Sequence, residues 1–315
     1  MTYKNRLIFL LSLIAALALL YAGSFIVNTG AGSARSASVI WLDSNLSLKA
    51  DRIAVVAGGL KFELVKRNDR WFVLNDDGEY PARGLRVEDF LGIFTKRAAW
   101  PVRSSGSASH ERFGLDAGTA DRLTVYGENS VLLDLLAGFE DSTGQEVYVR
   151  RYAQSEVRSG NSLLKTYLTS PVTSWYNLRL IPESEDGKVS AKNVQRLSVN
   201  SADTTLTFTR RNRRWTVSGA EIENPDRNSI ENYIGVILNT EGDNFDSSVS
   251  ADDPELGKNR ITVELDNGSV ITIRISEGDE SGHRYAHVFG RDYIYSIPSW
   301  ASSRLFREPS DFETQ

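Results

Sequence analysis

The sequence predicts an α+β protein: an N-terminal transmembrane helix followed by two tandem, internally duplicated domains, each a mostly antiparallel sheet with one main helix. Three observations predict it. An uncharged apolar run fills Leu7–Val27. A short segment, "VKRNDRWFV" (Val65–Val73), returns as "TRRNRRWTV" (Thr209–Val217). Around each copy, apolar residues alternate with a period of two, then switch once to helical spacing.

The apolar run comes first in the chain. A bilayer needs roughly 20 apolar residues in a helix, and Leu7–Val27 meets that length. Lys4 and Arg6 precede it without an acid among them, so the positive-inside rule keeps residues 1–6 cytoplasmic and sends the rest outward. Tyr21 falls near the outer end, where an interfacial aromatic belongs. The rival reading is a cleaved signal peptide, whose apolar core is normally about 7–15 residues before a small-residue cut site. The small residues of "AGSARSAS" (Ala31–Ser38) lie past the apolar run, which favours an uncleaved anchor. Residues 28–45 read as a flexible tether, rich in Gly, Ser and Ala up to Ser38.

The echo extends in register. "RIAV" (Arg52–Val55) meets "RLSV" (Arg196–Val199), and "KRNDRWFV" meets "RRNRRWTV" without a gap. Asn68 and Asn212 suit left-handed turn positions, and Trp71 and Trp215 read as core. Next comes one amphipathic helix per copy: Val87, Phe90, Leu91 and Phe94 in the first, Ile230, Tyr233, Ile234 and Ile237 in the second. "RLTVY" (Arg122–Tyr126) and "RITVE" (Arg260–Glu264) then lead through the polar tips "GENS" and "DNGS" into further strands. Acidic loops ending in Gly follow, "EDST" (Glu140–Thr143) and "EGDES" (Glu277–Ser281). "WYNLRL" (Trp175–Leu180) and "WASSRL" (Trp300–Leu305) close the series. Landmarks kept in one order predict duplication, with domains over 46–180 and 194–307, a linker over 181–193 and a tail over 308–315. Short polar turns argue for antiparallel pairing, and a Gly-rich dinucleotide fingerprint is missing.

Composition narrows the chemistry. The chain of 315 residues carries a net charge of −5, which gives no global nucleic-acid footprint. It has no cysteine, so disulfides, thiolate zinc sites and a Cys nucleophile are excluded. Its three histidines are His110, His283 and His287. His283 and His287 are four apart on a predicted strand and are the weak candidates for metal ligands. The first copy has Gln145 and Val149 in their places, so a half-exposed strand face is the simpler account. The acidic loops lack the ligand spacing of an EF-hand and read as polar turns. His110 has no evident acid partner, and no G-x-S-x-G elbow exists. The basic tips, with Arg67 and Arg70 in the first and Arg211, Arg213 and Arg214 in the second, read as solvated turns that protect the sheet edge. A phosphate or an anionic glycan is their alternative partner. The structural signature of the repeat is thus Asn68, Arg70, Trp71, Asn212, Arg214 and Trp215.

These landmarks resemble the family known as domain of unknown function 4340. The resemblance is carried by Trp71–Val73, the helix around Phe90, "FGLD" (Phe113–Asp116), "RLTV" (Arg122–Val125) and "YVR" (Tyr148–Arg150). The second copy keeps Trp215–Val217 and "RITV" (Arg260–Val263) but departs at "DDPELG" (Asp252–Gly257) and "YAHV" (Tyr285–Val288). The resemblance implies no catalytic residue and no cofactor. It implies an association with ABC-type transport operons, including ones resembling gliding-motility exporters. The expected protein is anchored in the bacterial cytoplasmic membrane, touches the bilayer through residues 7–27 and serves a permease or other envelope partner without enzymatic activity. The alternatives are an envelope enzyme acting on a polymer in an inter-domain cleft, and a structural spacer.

Overall fold

The computed structural model describes residues 38–181, 189–201 and 204–314. The apolar run 7–27, the residues before it, the tether as far as residue 37 and residues 182–188 of the linker lie outside the described residues. Among the described residues, no helix is long and apolar enough to cross a membrane.

Antiparallel strands dominate, and they form two large sheets. In chain order they are β1 (Ser38–Val39), β2 (Arg52–Ala57), β3 (Leu60–Arg67), β4 (Arg70–Asn75), β5 (Gly78–Pro81), β6 (Ala98–Ala99), β7 (Val102–Ser104), β8 (Asp121–Gly127), β9 (Ser130–Glu140), β10 (Glu146–Arg151) and β11 (Val157–Asn161). The second series is β12 (Val194–Asn200), β13 (Thr205–Arg211), β14 (Arg214–Ser218), β15 (Asn244–Asp246), β16 (Asn259–Leu265), β17 (Val270–Ile275), β18 (Arg284–Val288) and β19 (Ile294–Ile297). The chain divides into two compact units, one of residues up to Arg67 and Leu85–Ser170, the other of Asn68–Gly84 and Pro171 onward.

In the first unit the strands run β3-β2-β8-β9-β10-β11-β7. In the second they run β14-β13-β12-β16-β17-β18-β19-β15. From β13 to β15 the second order repeats the first strand for strand. The period-two pattern is realised as burial: Ile53, Val55, Phe62 and Leu64 are buried in the first unit, Leu197, Val199, Leu206 and Phe208 in the second. Each unit has one helix of 12 residues, Gly84–Thr95 and Arg227–Leu238, and each buries the stripe expected of it. Asp226 caps the second, accepting from the amides of Asn228 and Ser229.

The hairpin tips follow from backbone sterics. Asn68 (φ 50°) and Asp69 (φ 60°), like Asn212 (φ 51°) and Arg213 (φ 64°), are both left-handed, as a two-residue hairpin loop requires. Glu128 (φ 51°) and Asn129 (φ 64°) form the same turn inside "GENS".

Three segment boundaries differ from the sequence reading. Residues 38–42, read as part of the tether, are tied to the fold: Ser38–Val39 pairs with Ala98–Ala99, and Trp41 and Leu42 are buried because apolar residues that large gain by leaving water. The tail is core too, for Phe312 is buried against Phe208 and Tyr233. Residues 68–84 and 171–180, assigned by sequence to the first domain, belong to the second unit. There Tyr80 stacks on Phe245 at 4.7 Å, Tyr176 lies 5.2 Å from the same ring, and Leu178 and Leu180 bond through their backbones to Gly242 and Thr240.

Candidate functional site

The histidines are held as parts of the sheet. His287 is buried; its Nδ1 accepts from the Arg274 guanidinium at 2.8 Å and its Nε2–H donates to the Arg291 carbonyl at 2.8 Å. His283 faces the Ser296 hydroxyl at 3.2 Å through Nδ1 and Asp243 at 3.4 Å through Nε2. All four ring nitrogens have protein partners, and no partner is shared. Among the described residues, no group of three or more His, Asp or Glu is placed to hold a metal ion.

Asp243, His283 and Ser296 do form a carboxylate–imidazole–hydroxyl series that sequence reading missed, since the strand pairing creates it. Its chemistry as a nucleophile is poor. Ser296 is buried, and it stands inside β19 between Asn244 of β15 and Tyr285 of β18. Backbone groups used in that pairing leave no converging amides for an oxyanion. His110 meets the carbonyl of Ser155 at 3.0 Å, which is not a triad partner.

The two acidic loops are one motif built twice. Asp141 accepts from the Thr143 hydroxyl at 2.7 Å and from the amides of Gln145 and Glu146 at 3.0 Å. Asp279 accepts from the Ser281 amide and hydroxyl and from the His283 amide, all within 2.9 Å. Gly144 (φ 68°) and Gly282 (φ 79°) close the turns. Donors aimed at the ionised form hold both carboxyls below the usual range: for Asp141 the Glu146 amide leads, for Asp279 the Ser281 hydroxyl. These carboxylates are spent on shaping their own loops.

"FGLD" and "YVR" come together in the first unit. Phe113 packs on Tyr148 at 4.5 Å, and Leu115 is buried with Leu136 and Val157. Arg150 is buried; its Nε donates to the Leu115 carbonyl at 3.0 Å, and its Nη1 donates to the carbonyls of Tyr152 (2.7 Å) and Gln154 (3.2 Å). Gly138 lets the loop approach, because a Cβ there would sit 2.1 Å from the Phe113 carbonyl oxygen. The motif is a clamp on the backbone.

Among the described residues, a cleft of about 350 Å³ in the second unit is site-like. Asp77, Glu79 and Tyr80 come from the β4–β5 hairpin, Asp246 from β15 and the loop after it, and Asp292 and Tyr293 from the approach to β19. Its aromatic lining is Tyr80 and Tyr293, and behind them Tyr293 lies 4.9 Å from Phe245 and 5.5 Å from Tyr295. Burial, then the charges of Asp77 and Asp246, push the Tyr80 hydroxyl upward. Four carboxylates and no Lys, Arg or His line it, so the cleft repels anions. Sequence reading missed it because its walls come from three separate stretches without motif spacing.

Fold and site together define a two-sheet, mostly antiparallel α+β protein, with structural motifs and an acidic cleft. The chain belongs to the family described as Domain of unknown function (DUF4340), whose family model matches residues 71–254. No curated protein and no solved structure matches the chain.

Proposed function

We propose that the chain is a single-pass protein of the bacterial cytoplasmic membrane, with its β-rich units outside. There it acts as a non-enzymatic accessory or binding subunit of an ABC-type transport or gliding-motility-like envelope complex. The observation that carries the reading is the uncharged run Leu7–Val27 behind Lys4 and Arg6. The roles found for His283, His287, Asp141 and Asp279 support a binding rather than a catalytic part, since each is engaged within its own sheet or loop. In this reading the anchor localises the units and their surfaces meet a partner.

Alkaline carbonate extraction should leave the chain in the membrane pellet. Pull-down from detergent-solubilised membranes should bring down a transporter component; release into the carbonate supernatant, or recovery without any such component, would falsify the proposal. A second reading, an envelope enzyme acting on a polymer, draws on the carboxylates of the cleft. It predicts that Asp77→Asn with Asp292→Asn abolishes polymer cleavage while leaving the pull-down unchanged.

A further inference from the structure

We propose that the hairpin tip at Arg211, Arg213 and Arg214 is a phosphate-binding site, open to the phosphodiester headgroups of acidic lipids or to free polyphosphate. The tip breaks two rules of hairpin construction, and both breaks raise its positive charge. Arg211 and Arg214 stand directly opposite each other at the end of the β13–β14 ladder. Like charges in that position repel at close range and destabilise the pair. Arg213 holds the second left-handed position, at φ 64°. That conformation favours Gly, Asn or Asp, and a long side chain there is strained. The first repeat has Asp69 at the matching place, with φ 60°.

Among the described residues, relief by neighbouring acids is missing. Arg211, Arg213 and Arg214 are exposed, and none of their guanidinium groups has a hydrogen-bond or ion-pair partner among the described residues. In the first repeat, by contrast, Lys66, Arg67 and Arg70 all have partners. Behind the second tip, Arg210 donates to the Lys192 carbonyl at 2.5 Å, on the strand face away from Arg211 and Arg214. Trp215 lies opposite Arg210 and is buried, so period-two geometry turns Arg211 and Arg214 to the other face, toward water. Charge on an edge strand is an ordinary guard against aggregation. A guard does not require like charges face to face, or an arginine in a left-handed turn. Paired guanidinium forks are matched to phosphate oxygens, which they grip two at a time.

The full chain, solubilised in neutral detergent, is titrated calorimetrically with short-chain phosphatidylglycerol, with tripolyphosphate and with short-chain phosphatidylcholine. Saturable binding that weakens as salt rises is expected for phosphatidylglycerol, tripolyphosphate or both. Binding of phosphatidylglycerol alone assigns the lipid source; binding of tripolyphosphate as well assigns phosphate in general. The variant Arg211→Thr, Arg213→Asn, Arg214→Thr should bind about tenfold more weakly or worse, yet unfold at higher denaturant because repulsion and strain are gone. The variant Arg67→Thr, Arg70→Thr should bind as the parent does. The proposal is overturned by no saturable binding of either phosphate probe, by equal binding of phosphatidylcholine, by undiminished binding in the triple variant, or by a triple variant less stable than its parent.

Discussion

At the scale of the residue, much of the polar chemistry holds backbone in place. Arg150 shows it most directly. A buried guanidinium that answers the carbonyls of Leu115, Tyr152 and Gln154 cannot be removed without orphaning them. Arg150→Met should therefore lower stability by about 2–4 kcal/mol, read from urea denaturation of the full chain. Arg150→Lys should recover only part of that, since an ammonium lacks the fork. Asp141 and Asp279 give a pH prediction. Their folded pKa values lie below the unfolded ones, so their stabilisation is present above the unfolded carboxyl value of about 3.9 and is lost as pH falls through the folded values. The denaturation midpoint should fall as pH drops below about 4. Asp141→Asn with Asp279→Asn should flatten that limb; an unchanged slope would show that other carboxyls control it.

At the scale of the element, helices and hairpins obey local rules closely. The stripes on Gly84–Thr95 and Arg227–Leu238 are buried as their spacing demands. Phe94 and Ile237 are 0% and 1% exposed, so truncation leaves a cavity rather than a wet surface. Phe94→Ala should cost about 3–5 kcal/mol and Ile237→Ala about 2–5 kcal/mol in chemical denaturation. A cost near that of an exposed site such as Leu85 would contradict the packing. Gly138 tests the approach of the loop to β9. Gly138→Ala must push the Phe113 backbone away, and a loss of roughly 1–3 kcal/mol is expected.

At the scale of the whole molecule, the second unit is assembled from two separated stretches of chain. Tyr80 is the clearest link, 8% exposed and stacked on Phe245 with an interplanar angle of 5°. Tyr80→Ala should weaken the second unit by several kcal/mol, about the cost of removing a buried ring. Hydrogen exchange would read this as faster exchange in β15, which carries Phe245, and in β19, which pairs with it. Loss of protection confined to residues 68–84 would show instead that the hairpin is an attachment and not part of that core.

The sequence by itself determined what depends on neighbours a few positions apart. Left-handed Asn68 and Asn212, buried Trp71 and Trp215, the two helix stripes and the alternating strands all follow from steric and amphipathic rules that act over one turn or one pleat. The family signature was legible for the same reason, being made of short local patterns. Only the tertiary structure decided what depends on distant partners. It placed residues 68–84 and 171–180 in the second unit, put Phe312 and Trp41 in cores, joined "FGLD" to "YVR" through Arg150, and gathered Asp77, Asp246 and Asp292 around one cleft. No local rule carries that information. Apolar area gains by burial wherever the chain offers a surface, and which surface is offered is settled by strand pairing across the chain.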